Sequence, residues 1–272
     1  MKFVLKFILG LVVIVAMILL MVYLFAPSRY NILVIGSDQR AEGLKEGDAT
    51  VTRGRSDVLM VVSVPKSYKE KISIVMIPRD SKIDDDDYGV QKITHYYAME
   101  ERYESDTLGN LPLTQKKVET LLNKRMNATF EVTFSGFADI ITLLDGVDTA
   151  SGHLNADDAV ELVRNRYSQK NGDFGRAAEQ REIIKGAMIK IKQMSYAKKV
   201  YEYINTAPDA RLKWDRAATY AFGLAFLMGH IGHLDIGEIE EVELPGQGMR
   251  YNGLYYWELD QEKVEEIVKE YL

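Results

Sequence analysis

A chain of 272 residues that is 47% apolar can fill one large domain or two small ones, and its composition excludes a disordered protein. A formal net charge of −6 excludes nonspecific nucleic-acid binding, which needs a basic surface, so any cationic site must be local. The absence of cysteine excludes disulfides, acylation through a thiol and thiolate metal sites, and it suits a surface protein of a Gram-positive bacterium that relies on core packing alone.

Residues 1–6 carry Lys2 and Lys6, and residues 7–26 follow without a charge, long enough as a helix to cross about 30 Å of hydrocarbon. Leu24-Phe25-Ala26-Pro27 lacks the small-residue pattern of a cleavage site, so this stretch reads as an uncleaved transmembrane anchor rather than a signal peptide. Positive charge tends to stay cytoplasmic, which puts residues 28–272 outside the cell as one domain. Three apolar, β-branched runs open it, at 31–35, 57–64 and 71–77, the second and third paired as a hairpin through 65–70. An amphipathic helix at 114–126, with Val118, Leu121, Leu122 and Met126 on one face, leads to an extended run at 128–134. Helices then dominate: a short apolar one at 137–144 stopped by Asp145-Gly146, one opening at the capping pair Asn155 and Asp158 and running to about 163, and long ones at 176–193 and 217–228. A strand at 239–244, a turn-rich segment at 245–253, an aromatic strand at 254–258 and an amphipathic helix at 260–272 close the chain. With no internal repeat and no low-complexity linker, the predicted fold class is α/β, three layers α-β-α around a central mixed sheet, preceded by one N-terminal transmembrane helix.

The polar residues gather where the strands stop. Gly36-Ser37-Asp38-Gln39-Arg40 follows the first strand, Arg55-Ser56-Asp57 starts the second, and Pro78-Arg79-Asp80 ends the third. In open α/β sheets, ligands bind at strand termini near the point where strand order reverses. Asp38 and Asp57 offer the oxygen ligands magnesium prefers, with water and a substrate phosphate completing the shell; each alone also suits a turn or cap. The segment 164–180 adds three arginines, a carboxylate and an amide. Arg164 and Arg166, at i and i+2, act together only on an extended backbone. Arg176 and Gln180, at i and i+4, stand one above the other on a helix, with Asp173 before them as a cap or hinge. Converging guanidinium groups make forked hydrogen bonds to phosphate oxygens, and three of them suit a pyrophosphate better than a single phosphate. The competing reading is a solvated helix face with internal ion pairs.

GSDQR, GRSD, IPRD, LDGVD, HLNADDAVELVRNR and NGDFGRAAEQ, in that order, resemble the LytR-CpsA-Psr family over about 31–192, and LPGQGMRYNG in the tail fits as well. The resemblance implies a single-pass protein of the Gram-positive cell membrane with an extracellular catalytic domain. It implies a phosphotransferase that moves a glycopolymer, such as teichoic acid or capsule, from a polyprenyl pyrophosphate carrier to peptidoglycan, with no nucleic-acid partner. Carried across by position, it implies magnesium at Asp38 and Asp57, pyrophosphate contacts from Arg79, Arg164, Arg166, Arg176 and Gln180, and an orienting role for Asp173. Arg40, Arg55 and Lys92 join the expected substrate-binding set. Such a transfer relies on positioning and charge neutralisation, and whether Asp38 or Asp57 acts as base or only as metal ligand stays open. The carrier lipid needs an apolar slot, to be sought among Phe137, Ile140, Ile141, Leu144, Ile183, Ile184 and the helix at 217–228, although core packing is the favoured reading for most of them. Water as acceptor would make the same site a pyrophosphate hydrolase, and binding without chemistry would make it a lipid-sensing envelope regulator.

Three features depart from the family pattern. The segment after Asp148 is shorter than the usual loop, Lys92-Ile93-Thr94-His95 replaces Lys-Ile-Asn and a small residue, and an insertion separates Arg40 from Arg55. Two other signals are set aside. His230-Ile231-Gly232-His233 matches a nucleotide-binding signature only in letters, since it follows a late apolar helix, and the acidic run 84–87 lacks the alternating ligands of a calcium loop and reads as a hairpin tip.

Overall fold

The computed structural model describes residues 2–38, 54–99, 111–164, 173–191, 193–229 and 239–272; within these, the side chains of 2–6, 8, 111, 164, 173–181 and 229 are outside the description. In chain order, helix α1 (Lys2–Phe25) leads to strands β1 (Arg29–Ser37), β2 (Ser56–Pro65) and β3 (Ile72–Met76), then to a hairpin of β4 (Lys82–Asp85) and β5 (Gly89–Lys92) and a 3-10 turn at Ile93–Tyr97. Next come α2 (Leu111–Leu122), β6 (Ala128–Thr133), α3 (Phe134–Leu143), a small hairpin of β7 (Val147–Thr149) and β8 (Gly152–Leu154), and helices α4 (Ala156–Arg164), α5 (Asp173–Ile191) and α6 (Met194–Thr206). The chain closes with β9 (Ala210–Trp214), α7 (Arg216–Gly229), β10 (Ile239–Glu243), β11 (Gly246–Tyr251), β12 (Leu254–Leu259) and α8 (Gln261–Tyr271).

The central sheet is mixed, in the order β10-β3-β2-β1-β6-β9. Neighbours run antiparallel at β1/β2, β2/β3 and β6/β9, and parallel at β1/β6 and β3/β10. Alternation along the strands assigns the two faces. Leu33 and Ile35 point one way, where Leu59, Val61 and Val75 join Tyr96, Tyr97, Val118 of α2 and Val264 of α8 in one core. Ile32 and Val34 point the other way, with Val58, Met60 and Val62, toward Ile184 and Met188 of α5. A further core of Val132, Ile140, Ile141, Leu144, Ile183 and Val200 joins β6 to α3, α5 and α6. Helices therefore cover both faces, each fully buried aliphatic side chain contributing about 1.5–3 kcal/mol.

Local chemistry explains where the elements depart from the pattern read above. The extended run stops at Thr133, whose hydroxyl accepts from the Gly136 amide at 3.2 Å, so α3 starts at Phe134 rather than at 137. The helix ends as expected at Asp145-Gly146, with φ of 54° and 76°; a Cβ on Gly146 would stand 2.6 Å from the Leu154 carbonyl oxygen. The segment at 245–253 is not all turn: β11 pairs with β12 from Gly246 to Tyr251, and the turn shrinks to Asn252-Gly253. α6, β9 and the β7/β8 hairpin are additional elements. Opposite one another on β6 and β9, Glu131 is fully buried and accepts from Arg211 Nε at 2.9 Å and Nη2 at 2.5 Å, and from the Tyr97 hydroxyl. Burial pushes the Glu131 carboxyl upward and Arg211 opposes it.

Among the described residues no helix is long and apolar enough to cross a membrane. The expected anchor at 7–26 coincides with α1, which ends at Phe25. The end of α1 is tied to the domain: Lys66 Nζ donates to the carbonyls of Tyr23 and Ala26 at 2.9 and 3.1 Å, and α7 packs alongside.

Candidate functional site at one end of the sheet

The strand directions bring the polar residues together. β1 and β6 run parallel and finish side by side, with Ser37 opposite Thr133; β2 starts at the same end, and β3, antiparallel to β2, finishes there before Pro78-Arg79-Asp80. Asp38 and Arg55 close the base of the insertion between these strands. The Asp38 amide donates to the Arg55 carbonyl at 3.2 Å, and the Arg55 amide donates to Asp38 Oδ1 at 2.5 Å. The insertion therefore leaves its two ends pinned, with Asp38 two positions from Asp57 across the pinned pair.

Arg79 Nη1 donates to Asp57 Oδ1 at 2.7 Å; the two side chains are only 24% and 15% exposed, so the pair is shielded from the screening that weakens surface pairs. Lys92 Nζ reaches Asp80 Oδ1 at 2.7 Å and lies 5.7 Å from the centre of the Tyr256 ring, so the expected phosphate contact already holds a carboxylate. The backbone behind them is cross-braced. Thr94 donates its amide to the Arg79 carbonyl at 3.2 Å and its hydroxyl to the Ser56 carbonyl at 2.8 Å, and the Trp257 amide donates to the Asp80 carbonyl at 2.9 Å. Thr94 thus fastens the start of β2 to the Arg79 turn. His95 Nδ1 lies 3.0 Å from Gln91 Oε1, and burial lowers its pKa, followed by the positive charges of Arg55 and Lys92.

Directly inside this polar end, between the sheet and α3, α4, α5 and α6, lies a cavity of about 400 Å³. Alternate strand residues Ile32, Val34, Phe130 and Val132 form one wall, and Phe137, Ile140, Ile184 and Met188 belong to the other. Ser37 and Thr133 line it at the strand ends. Ser37 Oγ is buried there without a hydrogen-bond partner among the described residues, an arrangement that costs about 1–3 kcal/mol unless a ligand completes it. Gly36 also faces the cavity: a Cβ there would stand 3.0 Å from that of Val58.

Of the expected slot, Phe137, Ile140, Ile141 and Ile184 line the cavity. Leu144 and Ile183 instead lie in the packed core behind it, and α7 packs against Tyr30 and α1 at the opposite end of β1, on the same face of the sheet. Ser37, Thr133 and the start of α3 were not anticipated. The stripe Ile184, Ala187, Met188 and Ile191, at i, i+3, i+4 and i+7, is the signal that marks the cavity face of α5. Arg40, Arg166 and the 230–233 string lie outside the described residues. For Arg164, Asp173, Arg176 and Gln180 the description covers the backbone: Arg164 is the last residue of α4, in helical rather than extended conformation, Asp173 is the first of α5, and Arg176 and Gln180 follow on that helix as expected. The acidic run 84–87, expected as a solvated hairpin tip, is split: Asp84 and Asp85 end β4, with the Asp85 side chain almost wholly buried against Lys117, and only Asp86 and Asp87 lie in the turn. Among the described residues no cluster of three or more histidine or acidic side chains is placed to hold a metal.

A sequence model of the LytR_cpsA_psr family matches residues 25–152 and 151–271, the two matches meeting in the β7/β8 hairpin. The chain is 29% identical over 245 residues to the polyisoprenyl-teichoic acid–peptidoglycan teichoic acid transferase TagU of Bacillus mycoides, covering 84% of this chain and 72% of that protein. It is 27% identical over 272 residues to the transferase TagT of Bacillus subtilis, covering 90% of this chain and 77% of that one. The crystal structure of Bacillus subtilis TagU superposes with a TM-score of 0.61 at 21% identity, over 90% of this chain and 95% of that chain, and shares the fold.

Proposed function

From the premise that this chain belongs to the LytR_cpsA_psr family, we propose that it transfers a glycopolymer from a polyprenyl pyrophosphate carrier to peptidoglycan. The observation that carries this reading is the apolar cavity with its polar end at Ser37, Asp38, Asp57 and Arg79. Its volume of about 400 Å³ lies in the ~300–1,000 Å³ range of ligand pockets. An isoprenoid tail fills it at about 0.8 kcal/mol per buried methylene, and the pyrophosphate stays at the strand ends.

Arg79 donates to the pyrophosphate from an orientation held by Asp57, and its charge is worth most as the leaving phosphate develops negative charge in a shielded site. Ser37 gives its unpartnered hydroxyl to a phosphate oxygen. The acceptor hydroxyl of a wall sugar attacks the phosphorus that carries the glycopolymer and gives its proton to Asp38 or Asp57, whichever carboxylate acts as base; the bond from that phosphorus to the bridging oxygen breaks, and polyprenyl phosphate leaves. Arg164, Arg166, Arg176, Gln180 and Arg40 belong to the same proposal on family position alone, and Asp173 orients them. Two carboxylates at one sheet end fit magnesium, which takes one or two carboxylates and completes its shell with phosphate and water; Asp38 and Asp57 would hold it. When bound, the ion neutralises charge on the pyrophosphate. Residues 1–6 face the cytoplasm, 7–26 span the membrane of a Gram-positive envelope, and 28–272 form the catalytic domain outside it. The exposed apolar side chains along α1 and the flanking Lys2 and Lys6 support that topology.

The test uses the purified full chain with a polyprenyl pyrophosphate-linked glycopolymer and a peptidoglycan oligomer. The expected products are polymer-bearing oligomer and polyprenyl phosphate, and Arg79→Ala is expected to cut turnover by roughly 10²–10³, as for loss of one oxyanion-type donor. Release of polymer at an equal rate without the oligomer would make water the acceptor. Unchanged turnover in Arg79→Ala would contradict the assignment.

A further inference from the structure

Helix α7 has two unlike faces. Phe222 and Ala225 are buried, with Phe222 packed 5.0 Å from the Tyr30 ring, whereas Tyr220, Leu224 and Leu227, at i, i+4 and i+7, are 69%, 37% and 58% exposed. No charge follows Arg216 on this helix. Exposed aliphatic side chains in such a row mark an interaction surface. Two observations identify what covers it. First, the row is continuous with the end of α1: Met21 and Phe25 of α1 and Ala217, Ala218 and Ala221 of α7 line an open apolar groove of about 500 Å³ between the helices. Second, the start of α7 carries the groups that sit at a bilayer boundary. Trp214 is 37% exposed beside Tyr220, ring centres 6.3 Å apart, and Lys213, Arg216 and Arg125 stand exposed at this end, Arg125 paired with the exposed Asp215 at 3.5 Å so that the local charge remains positive.

We propose that α7 is a second membrane contact, lying in the outer leaflet beside α1 with Tyr220, Leu224 and Leu227 among the acyl chains, Trp214 at the headgroup level and the basic residues facing anionic headgroups. The inference rests on the reading of α1 as an anchor. Two contacts fix the domain's orientation where one helix would leave it free to swivel. They also hold the lower end of the cavity toward the bilayer, because Ile32, Val64 and Leu212, which line that end, pack on the core that receives Phe222.

The chain has two tryptophans, so Trp257→Phe leaves Trp214 as sole emitter. The full chain carrying that change is reconstituted in phosphatidylglycerol/phosphatidylethanolamine vesicles whose acyl chains are brominated at a shallow or a deep position. Alkaline extraction reads the anchor and Trp214 emission reads α7. The expected result is protein that resists extraction, loss of Trp214 emission with shallow bromines, and recovery of emission when Leu227→Glu is added without loss from the vesicles. Resistant protein with unquenched Trp214 would overturn the α7 contact and leave the anchor standing, as would unquenched Trp214 together with a dimer mass in light scattering. Quenching undiminished by Leu227→Glu would equally overturn the assignment of this face. Extraction of the protein would overturn both readings.

Discussion

At the scale of single residues, the site is an arrangement of fixed charges around a hydroxyl, that of Ser37, with no partner among the described residues. Asp57 holds Arg79, Asp80 holds Lys92, and the backbone of Arg55 holds Asp38, so each group arrives at the strand ends with its direction already set. His95 senses the resulting field, its pKa lowered by burial and then by Arg55 and Lys92. Removing Lys92 takes away a neighbouring positive charge and leaves Asp80, whose effect on His95 is to raise the pKa, without its partner. Lys92→Ala is therefore expected to move the His95 titration to higher pH, followed by the imidazole carbon-bound protons in NMR; an unmoved midpoint would show that the two cations do not act on this ring. Pyrophosphate added to the unaltered protein is expected to move it in the same direction.

At the scale of elements, the cavity exists because β1, β2 and β6 turn alternate residues toward helices that approach without closing on them. Ala187 is small and faces that space from α5. Ala187→Phe is expected to fill part of it and to weaken binding of a long polyprenyl pyrophosphate by at least about tenfold, or ~1.4 kcal/mol, while a short-chain analogue is less affected. Calorimetric titration of both ligands checks this, and equal loss for both would argue for a general distortion instead. The strand-end residues were legible in the sequence because β-branched runs with polar stops mark strand termini without reference to tertiary contacts. The first three strands, the hairpin tip expected at 84–87 and found at 86–88, and the stop at Asp145-Gly146 rest on the same local grounds. What escaped were features set by tertiary context. β9 is short and only its partner Glu131 explains Arg211, β11 needs β12 across from it, and the start of α3 was hidden because the Thr133 cap lies inside an apolar run. Leu144 and Ile183 follow the core-packing reading and Phe137, Ile140, Ile141 and Ile184 the slot, a division periodicity alone cannot make because a wall that faces a cavity looks the same as one that faces a packed core.

At the scale of the molecule, the site and the end of α1 lie at opposite ends of β1. Arg29 to Ser37 spans roughly 25 Å at ~3.3 Å per residue, so the strand-end chemistry stands well above the surface at which α1 emerges. The cavity runs between those levels, from Ser37 toward Ile32. The layers that maintain this geometry depend on charge as well as packing. The Asp85 side chain on β4 is almost wholly buried; burial pushes its carboxyl upward, but hydrogen bonds from Lys117 of α2, Tyr96 and the Asp87 amide outweigh that and hold it well below the usual carboxylate range. A carboxyl whose pKa is depressed in the folded state adds stability above its unfolded pKa of about 3.9, and this is lost as pH falls toward the native value. The thermal midpoint is thus expected to fall on acidification below about pH 4, and Asp85→Asn to flatten that decline in scanning calorimetry. The account as a whole turns on where a carrier lipid binds. A crystal structure of residues 28–272 with a short polyprenyl pyrophosphate is predicted to contain the tail between β1 and α3, with phosphate oxygens within hydrogen-bonding distance of Arg79 and Ser37; phosphates bound elsewhere, with the cavity empty, would contradict it.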